Sequence, residues 1–212
     1  MDHDRANEEA RLIERLDAGD AAAQDELVAA VLPDVLRWCV RLGGDLVDPE
    51  DAAHEVLIVA LRRLPTFRRG SSLRGWLFGI TRRVLANHRR KARTRKWWVR
   101  LTGTGEADRP DASPSPHTDA EHAQRRRLVQ RCLQQVTRKQ REVLVLCDLE
   151  GRTAREAAEI LGVAENSVYS RLHHARKAFR RGAEELGLER ALRDGLQPSG
   201  SGEEPGRRGG DR

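Results

Sequence analysis

An interruption in the apolar periodicity constrains this chain more than any other feature. Between Thr102 and Thr118 stand Gly103, Gly105, Pro110, Ser113, Pro114, Ser115 and Pro116, a composition that supplies no core and reads as a flexible linker. On either side of it apolar residues recur at helical spacing, and no alternating strand pattern appears. The expected fold is therefore all-α, two small helical modules on a tether. The bounds read from the sequence are 1–98 for the first module, 99–120 for the linker, 121–184 for the second module and 185–212 for a tail. The end of that tail, Gln197 to Arg212, is rich in Gly, Pro and charge and reads as disordered.

Local signals set the helices. Residues from about Asn7 to Leu16 and from Ala21 to Leu42 read as helical, the second ending at Gly43-Gly44. Asp48 is a good N-cap, with Pro49 at the first helical position and Glu50 and Asp51 in the first turn. That helix should stop near Leu64, before Pro65. A further helix is expected over Leu73 to Lys96, then, past the linker, over Asp119 to Val136 and Arg138 to Leu149.

Charge is segregated along the chain. From Met1 to Leu61, 15 acidic residues face only Arg5, Arg11, Arg15, Arg37 and Arg41. From Arg62 to Arg100 there is no Asp or Glu at all, while Arg82, Arg83, Arg89, Arg90, Lys91, Arg93, Arg95 and Lys96 succeed one another. A merely solvated surface would mix both signs. An acid-free basic block beside Phe67, Trp76 and Phe78 suits a surface that tracks phosphates and touches bases. The net charge of +6 also favours an anionic partner.

Other classes are disfavoured. The opening residues carry acid rather than a basic cap before an apolar run, so no secretion leader is expected. No apolar stretch approaches the roughly 20 residues that cross a bilayer. A cytoplasmic chain without membrane insertion is the expectation. Cys39, Cys132 and Cys147 form no C-x-x-C pair and read as small buried hydrophobes. His173 and His174 have no partner at metal-ligand spacing, so neither metal nor cofactor is expected. The acids Asp48, Glu50, Asp51 and Glu55 span both sides of one helix and make no catalytic cluster.

The strongest local pattern lies between Thr153 and Arg181. Thr153-Ala-Arg-Glu156 is a capping box that opens a short helix over Ala154 to Leu161, and Gly162-Val163 makes a tight turn. The next helix carries Val168, Leu172, Ala175 and Phe179 as one apolar stripe. Its opposite face shows Asn166, Tyr169, Ser170, His173, His174, Arg176 and Lys177, groups suited to the major groove. This is the helix-turn-helix pattern.

Two blocks of sequence, in order and separated by a linker, resemble the extracytoplasmic-function (ECF) sigma factors, the smallest members of the sigma-70 family. One is D-P-E-D-A-A-H-E-V-L-I-V-A-L (Asp48 to Leu61) continuing through L-P-T-F-R-R-G-S-S-L-R-G-W-L-F-G-I-T-R-R (Leu64 to Arg83); the other runs from Thr137 to Lys177. The resemblance implies a subunit that selects promoters for RNA polymerase and has no catalytic site of its own. It implies docking of Asp51, His54 and Glu55 on the clamp helices of the polymerase's largest subunit, with the second module meeting the flap of the second subunit. Phe67, Arg68, Arg69, Ser71 and Ser72 would form the loop that captures a flipped base of the −10 element. Trp76, Arg82, Arg83, Asn87 and Arg90, with Arg89, would meet the −10 DNA. Asn166, Tyr169, Ser170, His173 and His174 would read the −35 element, with Arg171, Arg176 and Lys177 at phosphates. The linker would thread near the RNA exit path, and an anti-sigma factor is the implied regulator. Arg83 stands where the family commonly has Asn, Asn87 where Asp is common, His54 where Gln is frequent and Tyr169 where Lys or Arg is frequent; these bear on promoter sequence rather than fold. Trp97-Trp98 has no family role, and packing against the first module is the expectation for it.

Two other readings fit less of the chain. An ordinary helix-turn-helix regulator accounts for the second module but not for the acidic helix and acid-free basic region of the first. A nucleic-acid enzyme would need clustered carboxylates, metal ligands or a placed nucleophile; Tyr169, the one Tyr, sits in the recognition helix.

Overall fold

Helix boundaries follow the capping chemistry that the sequence advertises. In the computed structural model, which describes residues 11–16, 18–68, 71–102 and 120–188, the Asp48 carboxylate accepts hydrogen bonds from the backbone N–H groups of Glu50 and Asp51 and starts α3, Pro49–Arg63. Before it come α1 (residues 11–16) and α2 (Ala21–Gly43), the latter capped by Asp20, whose carboxylate accepts from the Ala22 N–H. A 3₁₀ turn, Leu64–Thr66, ends the run as Pro65 requires. The helix α4, Leu73–Thr102, extends beyond Lys96 because nothing before Gly103 breaks it.

The first module is α1 to α4. Trp38 of α2 meets Phe78 of α4 edge to face at 5.3 Å, and both rings are buried. Val35, Val56, Leu77 and Leu85 complete this centre, burying apolar area worth roughly 25 cal/mol per Å². Asp34, buried on α2, is clasped by Arg37 and by Arg74 of α4, so its charge is paired rather than stranded.

The second module contains α5 (Ala120–Gln135), α6 (Arg138–Leu144), α7 (Ala154–Leu161) and α8 (Glu165–Glu185). The single helix expected over Arg138 to Leu149 is α only as far as Leu144, and Val145–Leu149 is one π turn. Widening the last turn keeps Val145 and Leu146 buried while the chain exits toward Gly151. Among the described residues there is no strand.

The modules are apposed, and their apolar side chains form one continuous cluster. Arg82 of α4 pairs with Glu142 of α6 at 2.9 Å, and Arg41 of α2 with Glu150 at 2.7 Å. Gly75 explains itself here: a Cβ at that position would stand 2.9 Å from Ile160 Cγ1 of α7, so the close approach of α4 and α7 needs glycine.

Two expectations are settled by burial. Cys39 and Cys132 are buried and Cys147 partly so, all three free thiols; burial pushes Cys39 up to about 12. Trp97 and Trp98 do not pack on the first module: they are 59% and 60% exposed and stack on each other at 5.8 Å, because α4 has by then outrun the core. Asn7 to Ala10, Arg69, residues 103–119 of the linker and the tail after residue 188 lie outside the described residues.

Candidate nucleic-acid interface

The helix-turn-helix is built from its caps inward. The Thr153 hydroxyl accepts from the Glu156 N–H at 3.2 Å, and the Glu156 carboxylate accepts from the Thr153 N–H at 2.8 Å. The Thr153 N–H and, also at 2.8 Å, the Thr153 hydroxyl both donate to the Glu156 carboxylate and hold its carboxyl below its ordinary range. Gly162 then takes the left-handed conformation (φ 66°, ψ 43°) that turns the chain into α8. Ala164 offers no side-chain cap, so α8 starts from tertiary support instead.

That support is the apolar stripe. Val168, Leu172 and Ala175 are buried and Phe179 partly so, which fixes the roll of α8. The opposite face is left in solvent: Asn166, Tyr169, Ser170, His173, His174, Arg176 and Lys177 are all exposed, whereas Arg171 is half-buried at the margin. Two members of the face are braced. The Tyr169 hydroxyl donates to Glu165 at 3.1 Å, which raises its pKa, and Arg176 grips Asp148 of the π turn with two hydrogen bonds of 2.9 and 2.6 Å. The Arg176 fork is thus already engaged with a carboxylate.

In the first module the candidates fall on two surfaces. Asp51 and His54 are exposed on α3, and Glu55 beside them pairs with His88 of α4 at 2.8 Å. Ile58, one turn further on the same face, is 50% exposed. Sequence reasoning missed it, although a large apolar residue one turn beyond an acidic surface is a legible signal.

The other surface is the loop before α4 and α4 itself. Phe67 and Trp76, both half-buried, meet edge to face at 5.3 Å and make an aromatic wall. Ser71 donates to the Arg68 carbonyl at 2.6 Å, and the Ser72 hydroxyl accepts from the Gly75 N–H at 3.1 Å, tying the loop to the helix start. Arg68, Ser71, Ser72, Arg83, Asn87 and Arg90 are exposed or half-buried. Arg82 departs from its neighbours: it is half-buried, turned onto Glu142 of the other module, with its Nε buried and without a hydrogen-bond partner. Arg89, also half-buried, donates to the Leu42 carbonyl at 2.8 Å. Among the described residues no His, Cys, Asp or Glu group is arranged to hold a metal, and no described helix is long and apolar enough to cross a membrane.

Comparison with known proteins bears on these surfaces. Residues 27–95 match the family described as sigma-70 region 2, and residues 126–179 match sigma-70, region 4. The chain is 31% identical over 178 residues to the ECF RNA polymerase sigma factor SigL of Mycobacterium tuberculosis, covering 82% of this chain and 98% of that one. It is likewise 31% identical over 180 residues to the ECF RNA polymerase sigma factor ShbA of Streptomyces griseus, covering 82% and 94%. Among solved structures it resembles the sigma factor RpoE bound to the anti-sigma factor NepR from Bartonella quintana, with 24% identity, a TM-score of 0.55 and coverage of 76% and 96%. It also resembles CnrH in complex with the cytosolic domain of CnrY, with 21% identity, a TM-score of 0.54 and coverage of 88% and 97%.

Proposed function

The chain belongs to the ECF group of the sigma-70 family and is an alternative sigma factor; on that premise we propose how its surfaces divide the work of promoter selection. It binds core RNA polymerase and contributes recognition rather than bond-making chemistry. Work on polymerase implies a cytoplasmic protein.

The acidic face of α3, exposed Asp51 and His54 and half-buried Glu55 with Ile58 at its end, docks on the clamp helices, where carboxylates complement a basic partner. The second module meets the flap of the second subunit. Phe67 and Trp76 form one wall of a pocket for an extruded base of the −10 element. Extrusion costs a few kcal/mol of stacking, and an aromatic wall returns part of it. Arg83, Asn87, Arg89 and Arg90 line the −10 DNA, and Arg82 joins them once it leaves Glu142. On α8, Asn166, Tyr169, Ser170, His173 and His174 read base edges of the −35 element, with Arg171 and Lys177 at phosphates. Arg176 orders the reading face through Asp148 before it meets any phosphate. An anti-sigma factor as regulator accords with the two similar structures, each of which holds a sigma factor or CnrH with a protein partner.

The observation that carries this reading is α8: an outward polar face, seven residues wide, locked in orientation by a buried stripe, on a chain whose other module supplies an acid-free basic helix. Runoff transcription with purified core polymerase and genomic fragments tests it. Discrete new start sites that depend on this protein are expected. Specific DNA binding without core binding or new transcripts would return the chain to the ordinary regulators.

A further inference from the structure

Where the two modules meet, their cations are brought together rather than separated. A cleft of about 840 Å³ opens between the α2–α3 loop, α4, the end of α5 and α6. Arg89, Arg90, Arg93 and Lys96 line it from α4, and Arg138 and Arg141 from α6, against one lining carboxylate, Asp45. Asp45 accepts from the Gln134 amide, and its charge, which raises the Arg141 pKa against the effect of burial, offsets one of the six cations. Glu142, close by, is held by Arg82 at 2.9 Å and reaches Arg138 only at 3.9 Å.

The charge here is thus in excess by construction. Burial, and then the like charges of Arg138, Arg141 and Arg93, lower the Arg89 pKa; the nearby Glu142 carboxylate opposes the shift. Burial lowers Arg141 as well, and its Nε is buried with no hydrogen-bond partner among the described residues. Like charges gathered in a partly enclosed space cost energy unless an anion neutralises them. The volume lies within the range of small-ligand pockets, roughly 300–1,000 Å³. Guanidinium groups on two walls match phosphate oxygens: Arg93 and Arg138 are exposed, and Arg89 and Arg141, each with one arm on a backbone carbonyl (Leu42 and Val136), keep further N–H donors.

We propose that this cleft binds a small polyphosphate anion, bridging Arg89 and Arg93 of α4 to Arg138 and Arg141 of α6. Because the bridge needs both walls, the anion binds the apposed arrangement of the modules and adds to its weight by mass action. In promoter selection as proposed, Arg89 and Arg90 also serve the DNA, so the anion and DNA compete. Anion binding itself does not depend on that role.

The test is calorimetric titration of the full chain with inorganic pyrophosphate at constant ionic strength, with sulfate as the control anion. Pyrophosphate is expected to bind at least ~10-fold more tightly than sulfate. The double variant Arg93→Glu/Arg138→Glu should lose ~30-fold or more, while Arg93→Lys/Arg138→Lys stays within ~5-fold. Gly75→Leu, which touches no cation but forces α4 and α7 apart at Ile160, should weaken binding ~5-fold or more. Equal affinity for sulfate, indifference to the charge-reversed pair, or full binding by Gly75→Leu would each overturn the site. A short duplex of arbitrary sequence separates the two sources of phosphate: if the duplex responds to Arg93→Glu/Arg138→Glu and pyrophosphate does not, these cations serve the DNA backbone alone and the inference fails. Runoff transcription without added anion keeps the two readings apart, since it reports the sigma activity whether or not pyrophosphate binds.

Discussion

The two modules expose the residues proposed for promoter recognition in opposite ways. On α8 the reading face is in solvent, and its internal bonds, Tyr169 to Glu165 and Arg176 to Asp148, stay within the second module and stiffen it. On α4 two of the corresponding cations are turned inward, Arg82 to Glu142 across the module boundary and Arg89 to the Leu42 carbonyl, while Arg83 and Arg90 stay exposed. On the proposed division of work, one surface is preformed, and part of the other must exchange partners before it meets DNA. On that assignment, −35 reading would behave as rigid docking, whereas −10 engagement would carry the cost of breaking a half-buried ion pair.

The largest effect expected from breaking this contrast is on stability. Phe78→Ala removes the ring that Trp38 packs against and should cost about 3–5 kcal/mol in urea unfolding. Because the apolar cluster is continuous, one cooperative transition is expected; a second module that melts unchanged would mean that the modules are energetically separate. Next comes polymerase docking. Asp51→Lys with Glu55→Lys should weaken core binding by ~100-fold, about 2.7 kcal/mol, with the α8 face still binding its DNA. Unaltered core affinity would remove α3 from the interface.

Smaller effects sharpen the preformed side. Tyr169→Ala and His173→Ala should each shift discrimination at one or two −35 base pairs by about 1–3 kcal/mol without touching core binding; a uniform loss over all sequences would assign them to phosphates. Thr153→Ala should cost about 1 kcal/mol by removing a helix cap. It should also shrink an acid limb of stability, in part only, because the backbone N–H of residue 153 still donates to Glu156. The Glu156 carboxyl titrates below its unfolded value, so its contribution is complete above that value, near ~4.3, and is lost as pH falls through the lower folded one. Thermal melts from about pH 6 to 3 on both proteins read this directly.

What the sequence disclosed and what it withheld divide along the same line. Caps and stripes are local, so Asp48, the Thr153–Glu156 box, Gly162 and the Val168–Leu172–Ala175 stripe are legible in the order of residues alone. The contacts that turn α4 inward join residues far apart in the chain, Arg82 with Glu142 and Gly75 with Ile160, and no periodicity marks them. The π turn at Val145–Leu149 is hidden because an apolar run looks alike at 3.6 residues per turn and at slightly more. Trp97 and Trp98 mislead in the other direction: aromatic residues usually seek a core, and here the helix carries them past it.

The length of α4 has a mechanical consequence. Leu85 is its last buried residue among those whose burial is described, yet the helix continues to Thr102, about 25 Å further at 1.5 Å per residue. A helix of 30 residues with no proline behaves as a stiff lever whose fulcrum is the Trp38–Phe78 contact. A rotation of about 10° at the fulcrum sweeps the far end through about 6 Å. Tension on the chain beyond Thr102 is thus delivered as torque to the turns of α4 that carry Arg82, Asn87 and Arg90.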